Sequence, residues 1–271
     1  MSGELRVGFV GLGSQGAPMA RRIVDGGFPT TLWARRPESL APFADTPAAT
    51  VGTLRELGAA SDVLAVCVVA DADVDGVLRG DGALSGMDAG GIVLVHSTVH
   101  PDTCRRLQDD YPQLAVLDAP VSGGGGKAAE GDLLVMVGGD SDVLTRCRPV
   151  LETFANPLLH LGPLGAGQEA KLLNNAMFTA HLGLAADVFA VARARGLDPE
   201  ALHQALASGS ARSYAADVVA GMGFGLDVLA EVAGPLLAKD ARILGDVLHP
   251  DRPRVLDAAH ATLDAMGLGD A

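Results

Sequence analysis

Residues 7–16 read VGFVGLGSQG, an apolar run that ends in three glycines, Gly11, Gly13 and Gly16, spaced G-x-G-x-x-G. Val7 to Val10 has the composition of a buried strand, and a helix can start near Gln15. In that setting the spacing has a physical meaning. The first glycine permits a tight turn, the second lets backbone approach a pyrophosphate, and the third lets helix pack closely on strand. Backbone amides from Gly11 through Leu12, Gly13, Ser14 and Gln15 to Gly16 would then face an anion at the positive end of the helix dipole. A dinucleotide-binding turn is the expectation. A strand feeding such a turn is the first of a doubly wound sheet.

The next strand outward bears on which dinucleotide. NAD enzymes usually carry Asp or Glu about 20 residues past the glycines to accept hydrogen bonds from the ribose hydroxyls. Here TLWARRPES (31–39) has Arg35 and Arg36 instead. A guanidinium suits bidentate binding of a 2′-phosphate, so NADP is favoured and NAD less so. The alternative is that both arginines are solvated surface charges.

Further along, short apolar runs alternate with helix signals. The runs are LRVGFV from Leu5, TTLWA from Thr30, DVLAVCVV from Asp62, GIVLVHS from Gly91, LAVLDAP from Leu114, LLVMVGG from Leu133 and PLLHLG from Pro157. Most are apolar at successive positions, as expected of strands covered on both faces. Pro37, caps at Ser61 and Asp71, and Pro101-Asp102 mark helices between them. After Pro163 the pattern changes. Leu172, Leu173, Ala176, Met177, Ala180, Leu184, Val188 and Phe189 recur at offsets of three and four, one long helical stripe between Gly167 and Arg195. Helical segments follow Asp198-Pro199, run through DVLAEVAGPLLAKDARILGDVL and end near PRVLDAAHATLDAM. The expected fold is α/β: a Rossmann-type doubly wound, mostly parallel sheet over 1–162, then an all-α domain over 163–271 opened by a long interdomain helix.

Composition narrows the partners. The 271 residues are 48% hydrophobic, enough for a large core, with formal net charge -13. That charge argues against nucleic acid and anionic membranes, and it requires a local positive site for any anionic ligand. No uninterrupted apolar run reaches the roughly 18 residues of a spanning helix, so no membrane partner is expected. MSGELRVGFV (1–10) enters a strand at once and leaves no stretch for a signal peptide, which favours the cytoplasm. Cys67, Cys104 and Cys147 are widely spaced and form neither a disulfide framework nor a zinc motif, and no metal is expected.

Two further segments carry chemistry. DAPVSGG (118–124) ends a strand in a flexible loop, and GPLGAGQEAKLLNNA (162–176) opens the long helix. Lys171, Asn174 and Asn175 lie at offsets of three and four and share a helix face. A helical lysine is ordinarily a solvated surface residue, but two adjacent asparagines in a helix interior run against propensity and ask for another reason.

With STVHP (97–101) and the pair Lys239-Asp240, these motifs resemble the β-hydroxyacid dehydrogenases, in order and spacing across essentially the whole chain. That family includes 3-hydroxyisobutyrate dehydrogenase and glyoxylate/succinic semialdehyde reductases, and is related to 6-phosphogluconate dehydrogenase. The resemblance implies a small hydroxy or oxo acid substrate and a homodimer or homotetramer. It implies Lys171 as general acid/base and Asn175 as the residue that positions the reacting oxygen, with Asn174 beside it. Ser122, Gly123 and Gly124 would hold the substrate, Thr98 the nicotinamide half of the cofactor, and Lys239 the cofactor/substrate cleft. Tyr214 and Phe224 fall where the family has aromatic residues near the substrate. A lysine has a reference pKa of about 10.4, too high for an efficient base at neutral pH; burial and a second cation such as Lys239 would lower it.

There are departures. Gln15 stands where Met is usual, Lys127 in a Gly-Ala position and Asp132 where Thr is usual. Lys127 is either a solvated loop charge or an extra anion contact. Two other readings stay open: an imine reductase, a group that usually carries Asp or Tyr at the Lys171 position, and a non-catalytic nucleotide-binding module.

Overall fold

The computed structural model describes residues 5–269. The residues ahead of Leu5, on which the expectation about a signal peptide partly rests, lie outside them. The chain forms two compact units and passes from one to the other between Lys171 and Leu172.

The first unit is a Rossmann-type sheet with flanking helices. Its strands are β1 (Val7–Val10), β2 (Thr30–Trp33), β3 (Ala49–Thr50), β4 (Val63–Val66), β5 (Ile92–Val95), β6 (Ala115–Asp118), β7 (Val121–Ser122), β8 (Leu133–Gly138) and β9 (Ala155–Gly162). Their spatial order is 3-2-1-4-5-6-8-7, with β9 paired to β8. From β3 to β6 every pairing is parallel; β8 runs antiparallel to β6 and β7 and parallel to β9.

Alternation along the strands serves both faces. Val7, Phe9, Val63, Ala65, Ile92 and Leu94 pack against α1 (Gly16–Asp25) and a helix at Ser141–Leu151. Val10, Leu64, Val66, Val93 and Val95 pack against α2 (Leu54–Ala59), α3 (Asp71–Leu78) and α4 (Pro101–Asp110). Each strand of this set is therefore apolar at successive positions, which is why the runs were readable. A short α5 (Gly124–Glu130) follows β7, and the Ser141–Leu151 helix is α6.

Several local expectations are corrected. The Pro37 segment is a 3₁₀ helix, Pro37–Phe43, in which Pro42 removes a donor. Ser61 starts no helix but closes one: its hydroxyl donates back to the Leu57 carbonyl in the last turn of α2 at 2.6 Å. Asp71 is the first residue of α3 instead of its cap, and its carboxylate accepts from the His100 amide (2.9 Å) and Thr103 hydroxyl (2.5 Å). The PLLHLG run is not covered on both faces, because β9 leaves Leu159 and Leu161 exposed.

The second unit is helical. Helix α7 (Ala166–Ala194) supplies most of its length to it, followed by α8 (Pro199–Ser208), α9 (Tyr214–Gly221), α10 (Asp227–Val232), α11 (Gly234–Leu248) and α12 (Arg254–Ala265). The DVLAEVAGPLL run read as one helical stretch breaks at Ala233, where Pro235 opens α11. Leu172, Ala176, Leu182, Ala185, Ala186 and Phe189 of α7 pack with α9, α11 and α12. The stripe anticipated for α7 is split: Leu173, Met177, Leu184 and Val188 are exposed. By length and composition α7 could cross a membrane, with mean hydropathy 1.3 over an 18-residue window, but 44% of that window is buried within the protein.

Candidate active site

The carboxyl ends of β1, β2, β4 and β5 meet where the strand order reverses, the position at which open α/β sheets bind ligands. A cleft of about 250 Å³ lies there, walled by Gly11, Gly13, Arg35, Arg36, Ser39 and Val68, among others. Gly11 has φ 99°, and a Cβ on it would sit 2.1 Å from the Cys67 carbonyl. A Cβ on Gly16 would meet the Gly11 carbonyl at 1.9 Å, so the third glycine lets α1 pack on the turn. Gly13, by contrast, has nothing within 4 Å of that position. These are the shapes a pyrophosphate-binding turn requires, and a nicotinamide dinucleotide fits them.

Arg35 and Arg36 are exposed at the end of β2, and among the described residues neither pairs with a carboxylate. Ser39, which sequence reasoning missed, joins them in the cleft wall; its place four residues past Arg35, in the turn opened by Pro37, was the available signal. Cys67 lies on the same cleft, and burial pushes its thiol up to about 12, so it stays a neutral wall residue. The Gln15 Oε1 is buried without a hydrogen-bond partner among the described residues.

The loop after β7 adjoins the glycine turn. Ser122 closes β7 against Leu134, and Gly123 and Gly124 follow at φ 136° and 76°, a conformation that side chains resist. A Cβ on Gly125 would meet the Ser14 carbonyl at 2.4 Å, so the four-glycine run is what brings this loop against the turn. Lys127 and Asp132, the two departures in this region, pair with each other, and Asn156 donates to Asp132 at 2.9 Å. Lys127, read as either a solvated loop charge or an extra anion contact, is thus engaged by an acid of its own loop.

The start of α7 is seated on the sheet. Asp118, at the end of β6, is wholly buried and accepts from the amides of Gly165 (2.6 Å) and Gln168 (2.7 Å). Burial raises its carboxyl above the ordinary value, and these backbone donors oppose the shift. A Cβ on Gly167 would strike the Met136 carbonyl at 2.4 Å, which accounts for the glycine spacing ahead of Lys171. From the α4 side, Arg105 donates to the Leu164 carbonyl (3.2 Å) and pairs with Glu169 (2.8 Å). Lys171, one turn past Gln168, is buried at 8% exposure. Thr98 sits half-buried in the loop after β5, whose Ser97 hydroxyl accepts from the Val68 amide at 2.8 Å.

In the helical unit, Asn175 donates through Nδ2 to the buried Asp240 at 2.5 Å, and Asp240 also lies 2.8 Å from Lys239 Nζ. Asn174 is exposed and donates to Asn175 Oδ1 at 3.1 Å. One carboxylate thus orients both Asn175 and Lys239, a role the sequence signalled only through the Lys239-Asp240 adjacency. Tyr214 is 71% exposed and stacks on Phe178 at 5.8 Å. Phe224, at φ 63°, packs edge-on against Phe189 at 4.9 Å, inside the helical core.

Comparison with known proteins bears directly on this arrangement. The family model for the NAD binding domain of 6-phosphogluconate dehydrogenase matches residues 6–162, and that for the NAD-binding domain of NADP-dependent 3-hydroxyisobutyrate dehydrogenase matches 165–250. The chain belongs to the β-hydroxyacid dehydrogenase family. This dehydrogenase is 38% identical over 200 residues to an oxidoreductase of Mycobacterium tuberculosis, spanning 73% of this chain and 68% of that protein. It is 33% identical over 216 residues to the NAD-dependent L-serine dehydrogenase of Pseudomonas aeruginosa, spanning 79% of this chain and 72% of that one. Among solved structures, Psf3 in complex with NADP+ and 2-OPP matches with TM-score 0.85 at 28% identity, covering 95% of this chain and 93% of that chain. The chain is an NAD(P)-dependent oxidoreductase of hydroxy acids.

Proposed function

We propose that this dehydrogenase uses NADP(H) to interconvert a small 3-hydroxy acid, or an ω-hydroxy acid, with its semialdehyde or oxo acid, and that Lys171 is the general acid/base. The observation that carries the reading is a lysine that is almost fully buried one turn into α7, beyond an N-terminus fixed by Asp118. The relative that acts on L-serine, itself a 3-hydroxy acid, supports the substrate class. Arg35, Arg36 and Ser39 support NADP, since they offer a dianionic phosphate two guanidinium forks and a hydroxyl.

The nicotinamide, when bound, supplies or takes up the hydride. Lys171 donates a proton to the nascent alkoxide oxygen in reduction and removes the hydroxyl proton in oxidation. Asn175, its amide held by Asp240, keeps one N–H to hold that same oxygen. Ser122 and the Gly123 and Gly124 amides bind the carboxylate. The same reading has the chain act in the cytoplasm as a homodimer or homotetramer, consistent with the exposed apolar side of α7.

The test is NADPH and NADH consumption with succinic semialdehyde, glyoxylate and a cyclic imine, and NADP+ reduction with a panel of 3-hydroxy acids. On the best substrate Lys171→Ala should lower kcat by about 10²–10⁴-fold while the NADPH Kd moves only a few-fold. Lys171→Arg should fail as well, because guanidinium does not release its proton at accessible pH. A folded Lys171→Ala protein with near wild-type turnover would overturn the mechanism, and a cyclic imine as the only substrate would overturn the substrate class.

A further inference from the structure

Gln168 is wholly buried, yet its side chain does not pack as an inert core residue. Its Oε1 accepts from the Val99 amide at 3.1 Å, and its Nε2 donates to the Ser97 carbonyl at 2.8 Å. The two bonds straddle Thr98, the residue between them. The backbone amide of Gln168 is in turn held by Asp118. Gln168 and Lys171 are three positions apart on α7 and therefore share a face of that helix. One amide side chain thus joins the loop that presents Thr98 to the helical turn that presents Lys171, across 71 positions of sequence.

We propose that Gln168 is a positioning residue: its bidentate grip on Ser97 and Val99 fixes the Thr98 loop relative to Lys171. The inference rests on the reading of Lys171 as acid/base and of Thr98 as the nicotinamide contact. A primary amide is suited to this task because it donates and accepts along parallel directions, as the flanking carbonyl and amide of an extended loop require. An apolar side chain of equal length would fill the space, make neither bond, and leave the Ser97 carbonyl and Val99 amide buried without that partner. Misplacement of reacting groups by about 1 Å costs on the order of 10²-fold in rate, so the grip acts on chemistry more than on cofactor affinity.

Two variants and one measurement on the loop itself test this. Gln168→Met should lower kcat by at least about tenfold, leave the NADPH Kd within about threefold, and raise the deuterium isotope effect on hydride transfer from labelled NADPH. A loss of folded protein alone would lower kcat and leave the isotope effect where it was. In Gln168→Glu the carboxyl can both donate and accept only when protonated, so its rate relative to wild type should climb as pH falls. Hydrogen exchange at the Val99 amide, read without substrate, should be slow in wild type and at least about tenfold faster in Gln168→Met, which offers that amide no acceptor. Unchanged Val99 exchange, a flat rate ratio across pH, or an unaltered isotope effect in Gln168→Met would each overturn the proposal. Should Lys171→Ala keep its activity, the acid/base reading fails while Val99 exchange still decides whether Gln168 grips the loop.

Discussion

At the scale of single residues, two side chains decide measurable behaviour through charge. Arg35 stands where a carboxylate would hold the ribose of NAD, and among the described residues it has no acid to neutralise it. Removing one charge-assisted phosphate contact costs on the order of 1.5–3 kcal/mol, so Arg35→Ala should weaken NADP binding by that amount and leave NAD nearly unchanged. Isothermal titration with both dinucleotides measures the ratio; an unaltered preference would remove Arg35 from the phosphate site. His96 acts in the opposite way, by staying neutral. It is completely buried between Phe9 and Phe154, with Nδ1 2.7 Å from the Ala119 carbonyl and no partner on Nε2 among the described residues. Burial lowers its pKa from 6.5 to about 4. The unfolded chain takes up a proton below about pH 6.5 that the folded chain refuses until about pH 4. The stability this neutral ring contributes is therefore complete above 6.5 and declines as pH falls, by about 3 kcal/mol over the interval. His96→Gln, which keeps a donor for Ala119, should flatten the fall in unfolding free energy between pH 6.5 and 4.5. Equal slopes in urea titrations of the two proteins would contradict this account.

At the scale of elements, the start of α7 concentrates what the sequence conceals. Asp118 belongs to a motif whose later residues point to substrate, yet its own carboxylate is spent on the orphan amides at the start of that helix. Asp118→Ala should cost about 2–4 kcal/mol, the loss of a cap together with buried donors left unmet. Denaturation by urea measures it, and a cost below about 1 kcal/mol would show that water replaces the carboxylate. Neither this cap nor the grip of Gln168 was legible in the sequence, because each joins a side chain to backbone across 47 or more positions and leaves no periodic trace. What was legible obeys a local rule. Strands β1, β2, β4, β5, β6 and β8 announce themselves because burial on both faces forces apolar runs, and Gly11 and Gly16 because a Cβ has no room there. The same rule misread β9, whose Leu159 and Leu161 face outward from an edge strand, and it passed over β3 and β7, two residues each, which are too short to carry a pattern. Asn174 and Asn175 stood out for a third reason, as polar residues placed against helix propensity, and Lys171 through the motif it shares with them; the role of Asp240 escaped because a single acid beside a lysine on a helix is ordinary.

At the scale of the whole molecule, the question is what covers the outer side of α7. Leu173, Met177, Leu184, Val188 and Val191 recur at offsets of four, seven, four and three, so they form one stripe, and they are between 44% and 62% exposed. The stripe runs about 27 Å along the helix at 1.5 Å per residue. Burying such side chains stabilises by roughly 1.5–3 kcal/mol each when burial is complete, enough for a few of them to hold an interface of standard size. A bilayer is the other apolar medium α7 would suit by length, but the opposite side of this helix is already packed on Ala238, Ala241 and Leu256 of the same unit. A self-associating face is the economical reading, and closed symmetry would bring each stripe to its copy. Light scattering at micromolar concentration should then give two or four times the 27.5 kDa chain mass, and melting temperature should rise with protein concentration. Leu184→Asp combined with Val191→Asp, both on the exposed side, should shift the mass toward that of one chain while the far-ultraviolet spectrum stays helical. A wild-type mass of one chain would end the proposal of self-association, and an assembly untouched by the two aspartates would place the interface elsewhere on the surface.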